Sequence, residues 1–195
     1  MTIIGEIEMG MDAYLYKTTK EAHSDYLVRN AKFGEISKEF ATFCDDMIKK
    51  YGEELVRKEP EEITNTLTSE EMDYIRDYQQ KVSELRCTDN NFSSEELAYW
   101  RKGWGLHKFI CRLSKTTGTG ADCEHIVLTK EHIETILAEL KRCLDDGFKD
   151  VDYDNNPFGK DEYWDKDDVV YTMNVFTDVL NNYNENNVIY YWCWA

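Results

Sequence analysis

The sequence predicts an α+β fold: a single domain over residues 1–195, mainly helical, with a small antiparallel sheet formed by the terminal strands. Three observations predict it. Apolar residues recur at steps of three and four through several long stretches. Strand-like segments stand near both ends: 11–17, with two tyrosines, and 188–194, which is β-branched and aromatic. Between them, Thr68 with Glu71 and Ser93 with Glu96 have the spacing of capping boxes, which mark helix starts.

Taken in order, residues 1–8 read as a flexible start and Met11-Asp12-Ala13-Tyr14-Leu15-Tyr16-Lys17 as a short strand. Ile36, Phe40, Phe43, Met47 and Tyr51 form one apolar stripe, which predicts a helix over 35–58 closed by Pro60. Thr68 opens a polar helix to about Arg86, and Ser93 repeats the start signal ahead of residues 99–115. Ile133, Ile136, Leu137, Leu140 and Leu144 define a further helix stopped near Gly147, and Val169, Met173, Phe176, Leu180 and Tyr183 share one face of the last. Val188 to Trp194 reads as a strand. A lone strand leaves its backbone unsatisfied, so the terminal strands are expected to pair with each other or with one near Ile126-Val127-Leu128.

At 42% hydrophobic the chain can build a real core. It shows no leader pattern and no run near the roughly 18 apolar residues of a membrane span, so a cytoplasmic protein without membrane contact is expected. The six cysteines, at 44, 87, 111, 123, 143 and 193, form no CxxC pair and read mostly as buried thiols. A net charge of −16 argues against direct nucleic-acid binding, because phosphates would be repelled. The same charge suits a protein that imitates nucleic acid.

One segment departs from this balance. From Leu97 to Ala121 there is no Asp or Glu, although the chain holds 39, while Arg101, Lys102, Lys108, Arg112 and Lys115 all lie there. On a helix turning about 100° per residue, Arg101, Lys108, Arg112 and Lys115 would fall in one stripe about 60° wide. Trp100, Trp104, His107 and Cys111 would flank it, and Gly103 and Gly105 would weaken such a helix unless a close backbone approach needs them. Rings beside cations suit a planar anion such as a nucleotide. The same features suit a docking surface, with the rings packed and the cations paired to nearby carboxylates. Tyr99, Trp100, Arg101, Lys102, Trp104, His107, Lys108 and Arg112 are the candidate ligand-binding residues.

Other constellations carry less. Asp150-x-Asp152-x-Asp154 has a calcium-loop start, but Asn155 stands where the turn glycine belongs, so a solvated acidic loop is expected. Cys111, Cys123, His125 and His132 match no zinc spacing, and neither a metal nor a cofactor is expected. With no GxxxxGK[ST], GxGxxG or GxSxG, nothing calls for an enzyme; His107 is the candidate acid or base if there is one.

Met-Gly-Met-Asp-Ala-Tyr-Leu-Tyr (9–16), Ala-Tyr-Trp-Arg-Lys (98–102) with His107, and Ala-Asp-Cys (121–123) together resemble a group of small phage-encoded proteins. Those read MGLDMYL near the start and YWRKANAIHNWF in the middle, and end in an aromatic tail. The resemblance implies an accessory role in an infected bacterium, in the host cytoplasm, countering a defence system. Two mechanisms fit: sequestering a nucleotide-like anionic signalling molecule without turnover at the basic segment, or binding a host defence nuclease through an acidic, DNA-like surface. A nucleotide-processing enzyme using His107 is a third. The partner is then a nucleotide-like small molecule or a host defence protein, and a homodimer is expected if Tyr190–Trp194 forms an exposed edge strand.

Overall fold

A computed structural model describes residues 11–54, 60–85, 93–115 and 125–194. The order of elements is β1 (Asp12–Thr19), α1 (Lys20–Tyr51), α2 (Pro60–Thr66), α3 (Ser69–Leu85), β2 (Ser94–Arg101), α4 (Trp104–Ser114), β3 (Ile126–Leu128), α5 (Lys130–Asp145), α6 (Lys166–Asn181) and β4 (Asn187–Trp194). The chain divides into two compact units: residues 1–20 with 94–195, and residues 21–93. The expected flexible start, residues 1–8, lies outside the described residues.

The first unit is an α+β layer. Its strands run in the order β2-β1-β4-β3, every neighbouring pair antiparallel. The two terminal strands pair along their whole length, from Asp12 opposite Trp194 to Thr19 opposite Asn187, and Ile126–Leu128 closes the far edge. Alternation decides the faces. Ala13, Leu15, Ala98, Trp100, Tyr191 and Cys193 are buried in one core with Leu106, Ile110, Ile133, Ile136, Val169 and Phe176 of α4, α5 and α6. Burying each such large side chain contributes roughly 1.5–3 kcal/mol. The opposite face carries aromatic rings in contact across strands: Tyr14 meets Tyr99 at 5.0 Å and Trp192 at 5.6 Å, and Tyr16 stacks on Tyr190 at 5.3 Å.

Local sequence explains the helices of this unit. Thr129 caps α5 in a capping box whose third residue is His132, and Asp165 caps α6 in another with Asp168. Gly147, at φ +89°, and Phe148, at φ 51°, turn the chain away after α5. The expected stop near Gly147 therefore coincides with a left-handed turn.

The second unit holds α1, α2 and α3. Phe40 stacks on Tyr78 at 3.8 Å and Phe43 on Tyr74 at 4.5 Å, so α1 and α3 run antiparallel. At one end of the pair Glu71 accepts from Lys50 Nζ (2.7 Å), Tyr51 Oη (2.9 Å) and the Thr68 backbone N–H (2.7 Å), while its own N–H bonds to Thr68 Oγ1. The expected capping box is thus also a tertiary contact.

Three expectations need correction. The first helix begins at Lys20 rather than 35 and ends at Tyr51, where Gly52 takes φ +84°. Pro60 opens α2 instead of closing α1, as proline's fixed φ and missing N–H permit at a first helical position. Ser93 and Glu96 are no helix start: residues 94–101 form β2, and Leu97 is an extra residue in its register against β1. Among the described residues no helix is long and apolar enough to cross a membrane.

Bonding to Lys50 and to the Thr68 N–H holds the Glu71 carboxyl down to about 2, below its ordinary 4.5. A depressed carboxyl contributes stability that is present above its ordinary value and is lost as pH falls through its folded one. Glu71→Gln is therefore expected to lower Tm at neutral pH and to remove part of the loss of Tm between pH 4.5 and 2; thermal melts across that range check it.

Candidate functional site

The basic segment is divided between two elements, so the single helical stripe does not form. Tyr99–Arg101 end β2, Lys102 turns at φ 56°, Gly103 precedes α4 and Trp104 starts it. The turn is held by the Lys102 N–H on the Met11 carbonyl (2.7 Å) and the Trp104 N–H on the Lys102 carbonyl (2.8 Å). A non-glycine residue in the left-handed region costs roughly 1–2 kcal/mol, which these bonds offset.

The candidate residues go to different places. Trp100 is buried; its indole N–H donates to Thr172 Oγ1 at 2.9 Å and its ring stacks on Phe176. Trp104 packs half-buried against the core. Tyr99 and Arg101 are exposed on the sheet face opposite α4, α5 and α6, where the Tyr99 hydroxyl donates to Asp12 Oδ1 at 2.6 Å. That bond raises the phenol's pKa. Lys102 Nζ sits 3.7 Å above the Tyr163 ring, and Lys108 Nζ 3.7 Å above the Tyr153 ring. Arg112 Nη1 donates to the carbonyls of Tyr153 (3.3 Å) and Asp154 (3.1 Å).

Three of the cations thus grip one stretch of chain, the acidic connection between α5 and α6. Arg142 on α5 joins them: its Nη2 donates to the Asn155 carbonyl at 2.6 Å while the same guanidinium pairs with Glu139 and Asp146. Phe158 is fully buried between Phe109 and Trp164, and Cys143 Sγ donates to its carbonyl at 3.1 Å. The fit is tightest at Gly105, where a Cβ would lie 1.9 Å from the Pro157 carbonyl oxygen. Gly105 therefore serves a close backbone approach. Within the connection Asp152 accepts from the Asp154 N–H (3.1 Å) and from Asn155 Nδ2 (2.8 Å), bonds that lower its pKa. Asp150, Asp154, Glu162 and Asp167 stay exposed. Sequence reasoning missed Tyr153, Tyr163 and Arg142; two tyrosines inside an acidic run were the available signal.

His107 is 7% exposed and faces two thiols, Cys193 Sγ at 3.2 Å from Nδ1 and Cys111 Sγ at 3.6 Å from Nε2, with its ring on Tyr191. Cys193 is 2% exposed, so the cluster is closed to a substrate in this conformation. Cys111, Cys143 and Cys193 are buried free thiols and Cys44 is half-buried; Cys87 and Cys123 lie outside the described residues. Burial pushes the Cys143 thiol up. His125 stacks on Tyr190 at 4.2 Å, whereas His132 serves the α5 cap. Among the described residues no group of three such side chains could hold a metal ion.

A groove of about 540 Å³ opens elsewhere in this unit, where Val127–Leu128 and Asn187–Ile189 meet the start of α5 and the end of α6; Lys20, Lys130, Glu131, Tyr183 and Glu185 line it. No family model matches the chain, and no curated protein and no solved structure matches it.

The close approach at Gly105 has a measurable cost. Gly105→Ala is expected to lower stability by about 1–3 kcal/mol in urea denaturation, although alanine is the better helix former. Gly103→Ala should cost distinctly less, because only a ring atom of Trp164, at 3.3 Å, has to give way.

Proposed function

We propose that this protein is a phage accessory protein that counters a bacterial defence without catalysis, as an acidic inhibitor occupying the basic nucleic-acid groove of a host defence nuclease. Its working surface on this reading is the α5–α6 connection with the first turn of α6, where Asp150, Asp154 and Glu162 of the connection and Asp167 of α6 are exposed. The observation that carries the reading is the grip of Lys102, Lys108, Arg112 and Arg142 on the rings and carbonyls of that connection. Cations used in this way do not converge on a ligand. They fix the backbone beneath a set of outward carboxylates, so that little ordering entropy is lost when a basic partner binds. A net charge of −16 would also speed encounter with such a partner. The phage setting rests on the resemblance of the YWRK, MDAYLY and aromatic-tail motifs.

A second reading keeps the nucleotide-like anion and moves it to the groove beside α5. Its volume of about 540 Å³ falls in the ordinary range of ligand sites, roughly 300–1,000 Å³, and Lys20, Lys130 and Tyr183 offer charge and a ring. Glu131 and Glu185 line the same groove and oppose an anion.

The combined substitution Asp150→Asn, Asp154→Asn, Glu162→Gln and Asp167→Asn tests the first reading. The variant is expected to melt like the parent and to lose protection of an infecting phage in bacteria carrying a nuclease-based defence, measured as plating efficiency. Full protection by the variant would overturn the inhibitor reading. In parallel thermal melts, a nucleotide at a hundred times its dissociation constant would add about 2.7 kcal/mol. Such a shift, abolished by Lys130→Ala, would establish the groove instead.

A further inference from the structure

The expected route to a dimer through the C-terminal tail is closed, because β4 lies inside the sheet between β1 and β3. The sheet's edges are β3, three residues long, and β2, eight residues long. Strand β2 pairs with β1 on one side, and among the described residues no strand pairs with the other. That side presents a row of backbone donors and acceptors suited to another strand.

We propose that two copies of this chain associate antiparallel through β2, making one eight-stranded sheet about a two-fold axis. Charge order along the strand selects a second copy as the occupant. Ser94-Glu95-Glu96-Leu97-Ala98-Tyr99-Trp100-Arg101-Lys102 begins acidic and ends basic, so an antiparallel copy lays each acidic end against a basic one. Both acids are exposed, but Glu95 already pairs with Lys17 of its own chain at 2.5 Å, which leaves Glu96 as the acid of the edge that forms no ion pair among the described residues. Arg101 is its counterpart: it is exposed, and among the described residues no carboxylate forms an ion pair with it.

The bulge fixes the register. Opposite β1, Thr18 pairs with Ser94, Tyr16 with Glu96, Tyr14 with Tyr99 and Asp12 with Arg101. Cross-strand partners share a face, so the exposed Ser94, Glu96, Tyr99 and Arg101 all lie on the face of Tyr14 and Tyr16, with the alternation switching at Leu97 in mid-strand. An axis between Leu97 and Ala98 sets Arg101 opposite Ser94 of the second copy and Tyr99 opposite its Glu96. Each of these four residues then meets one of the same face, and Arg101 lies diagonal to Glu96 of the second copy. A symmetric contact of this kind is self-complementary and closed, so it stops at two copies.

Sedimentation velocity over a wide concentration range tests the proposal, with the chain mass of 23.0 kDa doubling as concentration rises. Arg101→Glu alone and Glu96→Arg alone are each expected to weaken association about tenfold or more. The double variant should restore it, as should an equimolar mixture of the two single variants. Because both side chains are exposed, circular dichroism should show all variants folded. Amide exchange at Tyr99 and Arg101 should slow in the dimer. A wild-type monomer at every concentration, single variants that associate like the parent, or a dimer without protection of β2 would each overturn the proposal.

Discussion

The carbonyl of Pro157 lies so close above Gly105 that α4 has no room there for a methyl group. Much of the first unit depends on this approach. It lets the acidic connection lie flat on α4, which carries Phe158 into the core between Phe109 and Trp164. It also brings the rings of Tyr153 and Tyr163 under Lys108 and Lys102. A cation over an aromatic face contributes about 0.5–2 kcal/mol depending on desolvation. Two such contacts and the guanidinium bonds to carbonyls hold a segment that has little regular structure of its own.

This packing gives the absence of acids at positions 102, 108 and 112 a local cause. The neighbour of α4 is the most carboxylate-rich connection of the unit, and an Asp or Glu at position 102, 108 or 112 would face like charges while losing a ring or carbonyl partner. Lys108 and Arg112 make these contacts to a π face and to backbone oxygens, and Asp150, Asp154 and Glu162 remain exposed to solvent. Charge asymmetry along the sequence thus becomes a layered arrangement in space: cations beneath, backbone and rings between, carboxylates outside.

What could be read from the sequence was what neighbours in the chain determine. The α5 stripe, the Thr68–Glu71 cap and the pairing of the terminal strands follow from local periodicity and from the need to satisfy a strand's backbone. Strand β2 was hidden because Ser93 and Glu96 have cap spacing by coincidence and the extra residue Leu97 interrupts the alternation that Ala98, Tyr99, Trp100 and Arg101 otherwise show. The first half of α1 offered no clear stripe; Leu27 and Val28 there are about half exposed. The site was less legible still. Cys193 meets His107 from 86 residues away and Arg112 reaches carbonyls 41 and 42 residues on, separations no local pattern encodes. Only the glycines at 103 and 105 hinted at a close approach, and it is at Gly105 that another backbone comes close.

Strands β1 and β2 are sheet neighbours, yet the whole second unit lies between them in the chain. Thr18 sits opposite Ser94, so the polypeptide leaves the sheet and re-enters it at one place, where a tight hairpin turn would serve equally well. Closing a longer excursion adds only about 0.6 kcal/mol for each doubling of its length. The helical unit is in this sense an insert in a hairpin. Its length can change at little closure cost, because the register of β1 against β2 is set within the sheet itself.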